Sequence, residues 1–113
     1  MIRLKRVYEG VSPEDGFRVL VERLWPRGLT KEEVGVDLWL KEVAPSPELR
    51  TWFGHDSAKW EEFQRRYGAE LESQEEHLAF LKDKSRKGTV TLVFAARDEQ
   101  HNAARALKEY LER

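Results

Sequence analysis

The fold class of this chain is decided by the stretch Thr89-Val90-Thr91-Leu92-Val93-Phe94-Ala95-Ala96. The stretch carries no charge and is rich in β-branched residues, a composition typical of a strand covered on both faces of a sheet. Asp98 follows as the expected N-cap of a final helix, in which Ala103, Leu107 and Leu111 would face the core. A buried strand followed by a helix indicates an α/β arrangement.

Two further strands are predicted near the start of the chain. The segment from Ile2 to Tyr8 has a mixed apolar and basic pattern, which suits a strand at or near a sheet edge. The segment from Phe17 to Trp25 has apolar residues on both faces until Glu22, so we expect a central strand covered on both sides. Glycine and proline residues predict a loop between the two strands.

Helix signals follow the second strand. Thr30-Lys31-Glu32-Glu33 has the form of a capping box and predicts a short helical turn that ends near Gly35. Residues 36–43 fit either a short strand or an irregular packed segment. Ser46-Pro47-Glu48 combines an N-cap, a proline at the first helical position and an acid in the first turn, which predicts a helix that stops at Gly54.

Two amphipathic helices are predicted in the next part of the chain. Apolar residues recur at helical spacing from Trp60 to Leu71. Ser73-Gln74-Glu75-Glu76 forms a second capping box, so we expect a new helix to begin there and to reach Gly88. Together the elements predict a small single α/β domain over residues 1–113, with a mostly parallel sheet flanked by helices.

Composition narrows the classes of function. The 113 residues include no cysteine and carry a net charge of −1. The lack of cysteine excludes disulfides, thiolate catalysis and cysteine-based zinc sites. The first residues lack the apolar run of a signal peptide and no stretch reaches membrane-spanning length, so we expect a cytoplasmic protein without a membrane partner. The near-zero net charge gives no overall attraction to nucleic acid.

An anion site is predicted where the second and last strands end. If these strands are parallel neighbours, Arg23, Trp25 and Arg27 converge with Arg97 and Asn102. Arginine binds phosphate or carboxylate through two parallel hydrogen bonds, and the start of the following helix favours negative charge. The alternative is a structural network in which the arginines only pair with neighbouring acids.

Two histidine–aspartate pairs are the candidates for acid and base chemistry. His55 and Asp56 follow the glycine stop of a helix, and Asp98 and His101 follow the last strand. A histidine oriented by a carboxylate is the usual arrangement of a general base. Alternatively, Asp56 caps the next helix and leaves His55 as a surface residue. The four residues have no recognised metal-ligand spacing, so no metal and no cofactor are predicted.

Several motifs along the chain point to a known family: Asp15-Gly16-Phe17-Arg18-Val19-Leu20-Val21, Arg23-Leu24-Trp25-Pro26-Arg27-Gly28, Trp52-Phe53-Gly54-His55-Asp56 and Ala95-Ala96-Arg97-Asp98, followed by His101-Asn102. With these motifs the whole chain resembles the YeaO-like proteins, a family of unknown function. The resemblance implies a compact α/β domain from bacteria or archaea. It carries no established activity.

Two hypotheses of function follow. The first is a small pocket enzyme or ligand-binding domain for an anionic ligand, phosphate-bearing or nucleotide-like. The second is a non-enzymatic regulatory module that binds nucleic acid or a protein partner through arginine and tryptophan side chains, such as Arg65 and Arg66 with the tryptophans. We rank nucleic acid below a small anion, because the net charge does not favour it. Nucleophiles are scarce, since no Gly-x-Ser-x-Gly elbow or glycine-rich phosphate loop occurs.

Overall fold

The structure, a computed structural model, describes all residues from Met1 to Arg113. The four strands are β1 (Ile2–Arg6), β2 (Phe17–Leu20), β3 (Leu38–Trp39) and β4 (Val90–Phe94). The five helices are α1 (Lys31–Val34), α2 (Pro47–Phe53), α3 (Trp60–Leu71), α4 (Glu75–Lys87) and α5 (Ala103–Leu111). Short 3-10 turns cover Val7–Glu9, Pro13–Asp15, Lys41–Val43 and Ser57–Lys59. None of the helices is both long and apolar enough to cross a membrane.

The four strands form one parallel sheet in the order β1-β4-β2-β3. All five residues of β4 are buried, as expected of a strand that pairs on both sides and is covered on both faces. The predicted α/β fold with a parallel sheet is therefore confirmed, as are the buried last strand and the edge position of β1. Because β2 and β4 are parallel neighbours, the segments that follow them leave the sheet at the same edge.

The two faces of the sheet are packed unequally. Val19 and Val21 point to a core cluster of 19 buried residues, which also contains the apolar sides of α2 to α5. Leu20 and Val93 point to the other face, where the cluster has only four buried residues. Alternating side chains of the same strands thus build a large core under the helices and a small one under the loops and α1.

A buried ion network covers the amino-terminal part of the second face. Arg18 in β2 and Asp15 before it are both buried, with 2.5 Å between Arg18 Nη1 and Asp15 Oδ2. Arg18 also donates to the carbonyl oxygens of Val34 and Gly35, at 2.7 and 2.8 Å. Lys5 Nζ lies 3.1 Å from the same Asp15 oxygen. The network ties the loop before β2 and the end of α1 to the sheet.

The strands are shorter than predicted. β1 ends at Arg6 rather than Tyr8, and β2 ends at Leu20 rather than Trp25. The chain leaves the sheet after the amide of Val21, which still donates to Val93 O at 3.2 Å. Trp25 packs edge-on against the Trp39 ring, with the ring centroids 5.4 Å apart. The aromatic side chain of Trp25 therefore packs the loop against β3 and does not extend β2.

Helix starts at Thr30 and Ser46 are confirmed with their caps. The Thr30 hydroxyl accepts from Glu33 N at 3.2 Å, and the Ser46 hydroxyl accepts from Leu49 N at 3.1 Å. The end of α2 is also confirmed, because Gly54 adopts the left-handed conformation at φ 52°. The ambiguous segment 36–43 contains both the short strand β3 and a 3-10 turn.

Two of the predicted caps are wrong. Asp98 does not cap α5: Asn102 does, and its Oδ1 accepts from Arg105 N at 2.8 Å. Asp98 instead accepts from the amides of Gln100 and His101, which closes a tight turn before the helix. His101 and Asn102 therefore precede α5.

The second capping box is also not formed. Ser73 donates its hydroxyl to Glu70 O at 2.9 Å and so closes α3, while α4 begins after Gln74 without a side-chain cap. The break between two helices at this point is nevertheless confirmed.

Candidate functional site

An open cleft lies at the carboxyl edge of the sheet, beside the ends of β2 and β4. Its volume is about 470 Å³, and it lies where ligands bind in open α/β sheets. Its apolar lining is Val21, Phe53, Phe63, Ala95, Ala96 and Ala103 with parts of 44–47. Its polar lining is Glu22, Arg23, Arg50, Thr51, His55 and Asn102. The cleft thus combines a mostly small and aromatic floor with a few charged groups.

Glu22 lies two residues after β2 ends at Leu20 and is half-buried. Burial raises the pKa of its carboxyl group, and the Ala95 amide and the positive charge of Arg50 oppose this rise only in part. Sequence reasoning missed Glu22 as a site residue. The available signal was its position as the first charged residue after the apolar run of β2.

Arg23 has two roles in the structure. Its Nε donates to Pro45 O at 3.3 Å and its Nη2 donates to Ala44 O at 3.1 Å. Arg23 also lines the cleft, and its Nη1 makes no hydrogen bond within the chain. The same guanidinium therefore holds the segment before α2 and keeps donors for a bound molecule.

The segment from Val43 to Ser46 is held from the other side by α3. The Tyr67 hydroxyl donates to Val43 O, and burial raises the pKa of Tyr67, so the group remains a donor. Glu70 accepts from Ser46 N at 2.9 Å and from the Ser46 hydroxyl at 2.6 Å. One wall of the cleft is therefore fixed by hydrogen bonds at every residue from 43 to 46.

His55 enters the cleft from an unusual backbone conformation. It has φ 57° and follows Gly54, which is also left-handed. Left-handed residues other than glycine are uncommon, and histidine is among those that tolerate the conformation. The His55 ring is exposed to the cleft, with its centroid 6.2 Å from that of Phe53.

Asp56 makes no hydrogen bond to His55. Its Oδ1 accepts from Ala58 N at 3.0 Å and caps the 3-10 turn that precedes α3. The capping alternative for Asp56 is therefore the arrangement in the structure, and no carboxylate orients the His55 ring.

His101 and Asp98 form a pair outside the cleft lining. His101 Nδ1 lies 3.0 Å from Asp98 Oδ2, and the His101 ring packs edge-on against Trp60 at 5.3 Å. A hydrogen bond from the Gln100 amide lowers the pKa of Asp98, and the contact with the His101 side chain lowers it further. Both residues stabilise the turn before α5, which positions Asn102.

The structure brings together only part of the predicted anion set. Arg23 and Asn102 line the cleft, whereas Arg27 and Arg97 are exposed and make no hydrogen bond or ion pair. Trp25 packs against the small cluster on the other face and donates its indole N–H to Leu29 O at 2.8 Å. No group of three or more histidine and acidic side chains is placed to hold a metal ion.

Arg50 is the second residue that sequence reasoning missed. It lies on α2, is exposed, and lines the cleft opposite the strand ends. Its signal was weak, since a single arginine on a short helix is ordinarily a solvated residue. Only the tertiary structure, in which α2 packs on α3 and borders the cleft, makes Arg50 a neighbour of Glu22.

The fold and the cleft define a small α/β protein with a ligand-sized opening at the carboxyl edge of a parallel sheet. The chain belongs to the family DUF488-N3i, described as the inactive DUF488-N3 subclade, whose model matches residues 1–113. The resemblance to the YeaO-like proteins is thereby confirmed.

Its relatives include two uncharacterised bacterial proteins. The uncharacterised protein YeaO of Escherichia coli K12 is 39% identical over 110 residues, which cover 97% of this chain and 96% of that protein. The uncharacterised protein Rv3073c of Mycobacterium tuberculosis H37Rv is 42% identical over 110 residues, covering 97% and 92%. No solved structure matches the chain.

Proposed function

We propose that the cleft binds a small anionic ligand, and that the protein acts as a ligand-binding domain without catalysing a reaction. The observation that carries this proposal is the position of Arg23 and Arg50 around an apolar floor at the carboxyl edge of the sheet. Two guanidinium groups beside one carboxylate, that of Glu22, leave the polar lining with a net positive charge. Charge-assisted hydrogen bonds from arginine are strongest in such a partly enclosed site.

The start of α5 adds to the attraction for an anion. Asn102 and Ala103 line the cleft, and the Asn102 side chain accepts only from Arg105 N. The amides of the first helical turn before Arg105 are therefore free of intrahelical partners. A helix start carries a partial positive charge, which favours a phosphate or carboxylate nearby.

Binding without catalysis is supported by the site chemistry and by the family. His55 has no carboxylate to orient it, and the only hydroxyl side chain in the lining is Thr51. The family description names an inactive subclade. Both observations favour a cleft that holds a ligand over one that converts it.

The alternative of a nucleic-acid or protein-binding module has less support. Arg65 and Arg66 both pair with Glu62, and Arg66 also stacks over the Trp52 ring at 4.2 Å. The positive charges of these arginines are thus paired with Glu62, and the Trp52 ring is already covered by Arg66. They do not form an uncompensated basic surface of the kind that phosphate backbones require.

The test is ligand-dependent thermal unfolding with phosphate esters and small carboxylates. A ligand that binds only the folded state raises Tm, so one of these anions should do so in the wild-type protein. Arg50→Ala should abolish the shift, because it removes an exposed residue of the lining. Arg27→Ala is the matched control, since Arg27 is also exposed but lies outside the lining, and it should keep the shift.

Two outcomes would contradict the proposal. The first is equal loss of the shift in both arginine variants. The second is a wild-type shift with oligonucleotides alone that weakens as salt rises, which would favour the nucleic-acid alternative.

A further inference from the structure

Glu22 differs from every other carboxylate that is shielded from solvent in this protein. Four other acidic side chains are buried or half-buried, and each lies within hydrogen-bonding distance of a polar side chain: Asp15 of Arg18, Glu62 of Arg66, Glu70 of Ser46 and Asp98 of the His101 ring. Glu22 accepts no hydrogen bond from any side chain, and the Ala95 amide is the backbone donor that favours its charged form. A carboxylate has several acceptor positions, so most of the acceptor capacity of Glu22 is not used by the chain.

The Glu22 carboxylate lies inside the cleft, where its remaining acceptor positions can receive a ligand hydrogen bond. Glu22 is part of the lining, and its carboxylate interacts electrostatically with Arg50 and with the buried Tyr67. No ion pair joins Glu22 to Arg50 or Arg23, so neither arginine neutralises it by direct contact. The lining therefore holds acceptor oxygens beside anion-binding donors, and a simple anion would use only the donors.

We propose that Glu22 selects ligands in which hydroxyl groups accompany the anionic group, such as a sugar phosphate or another hydroxylated phosphate ester. This inference rests on the proposed function, because it assumes that the arginines bind the anionic end. A hydroxyl group donates to a carboxylate without bringing positive charge near Arg23 and Arg50. An ammonium group would also donate, but the two guanidinium groups would repel it.

The size of the cleft agrees with this class of ligand. A volume of about 470 Å³ is at the lower end of the range for small-molecule sites, which suits a pentose phosphate better than a large cofactor. Ala95 and Ala96 after β4 and Ala103 at the start of α5 have small side chains. They leave room for the ring atoms of a ligand on the floor of the cleft. A site built to accept hydroxyl hydrogen bonds discriminates strongly against an analogue that lacks them.

The experiment compares methyl phosphate with glycerol 3-phosphate and ribose 5-phosphate by NMR titration of the labelled protein. A hydrogen bond to a charged group contributes about 1.5–3 kcal/mol, so the hydroxylated esters should bind roughly tenfold or more tightly than methyl phosphate. Glu22→Ala removes the acceptor and should bring the three affinities within about threefold of one another, which is less than 1 kcal/mol. Methyl phosphate should bind this variant as well as or better than the wild-type protein.

A second variant keeps the test decisive if Glu22→Ala does not fold. Glu22→Gln preserves the shape and removes the charge, so it should lose most of the preference for hydroxyl groups. Equal wild-type affinities for all three esters, or an equal loss for all three in the variants, would overturn the role of Glu22 while leaving the anion site intact. If the wild-type protein binds none of the esters and no other anion, both the proposed anion site and the proposed role of Glu22 are overturned.

Discussion

The guanidinium of Arg18 lies 2.5 Å from the carboxylate of Asp15, and both side chains are buried on the face of the sheet opposite helices α2 to α5. The hydrogen bonds of Asp15 from the Ser12 amide and from Lys5 and Arg18 outweigh the desolvation of its carboxyl group, so its pKa falls below the usual range. Arg18 connects this acid to the carbonyl oxygens at the end of α1. The pair therefore holds two loops against β2.

Replacement of Arg18 by methionine should lower the free energy of unfolding by about 3 kcal/mol or more, since it leaves a buried carboxylate with Lys5 as its only cationic partner. The double variant Asp15→Asn with Arg18→Met should recover part of this loss, because no unpaired charge remains. Urea denaturation at neutral pH measures both values. A single variant as stable as the wild-type protein would contradict a structural role for the pair.

Glu22→Gln should stabilise the folded protein at neutral pH, because the raised pKa of Glu22 means that folding disfavours its charged form. The wild-type protein is most stable when Glu22 is protonated. Its free energy of unfolding falls as pH rises above the unfolded pKa near 4.5, and the fall is complete above the folded pKa. The difference between variant and wild type should therefore vanish at low pH. Thermal unfolding across a pH series tests the sign, and a destabilised variant at neutral pH would refute it.

Tyr67→Phe should lower the free energy of unfolding by about 1–3 kcal/mol, because it leaves the buried Val43 carbonyl without its donor. Tyr110→Phe is the control, since the Tyr110 hydroxyl makes no hydrogen bond within the chain and the change should have little effect. Chemical denaturation compares the two variants. Equal effects would show that the Tyr67 bond does not hold the wall of the cleft.

His55→Gly should raise the free energy of unfolding by up to about 1 kcal/mol, because glycine adopts the left-handed conformation without strain. The same change should weaken anion binding if His55 contributes a donor to the cleft. His55→Ala separates the two effects, since it also removes the ring but keeps the strained backbone. A less stable glycine variant would mean that ring packing against Phe53 outweighs the backbone strain.

The local signals in the sequence predicted most of the fold. The uncharged run at β4 and the Ser46 and Gly54 signals around α2 depend only on neighbouring residues, and the structure agrees with them. Asp98 and Asn102 are both suitable N-caps four positions apart. The choice between them depends on where the turn after β4 directs the chain, which local preference does not specify.

The site was less predictable because it depends on where β2 ends. A strand that reached Trp25 would place Arg27 at the sheet edge, but β2 stops at Leu20 and places Glu22 and Arg23 there instead. Arg50 lines the cleft because of the way α2 packs in the fold. The spacing of residues around Arg50 in the sequence does not predict this position. β2 pairs with β4 over four residues and with β3 over only two, and both pairings end at Leu20.

The sheet order also has a consequence for how the chain folds during synthesis. β4 lies between β1 and β2, yet it is the last strand to leave the ribosome. Until Val90–Phe94 emerges, β1 has no strand beside it and β2 has only the two residues of β3. The nascent chain must therefore carry most of its helices before the sheet can assemble, and the joining of β1 to a partner 88 positions away is a slow, long-range step.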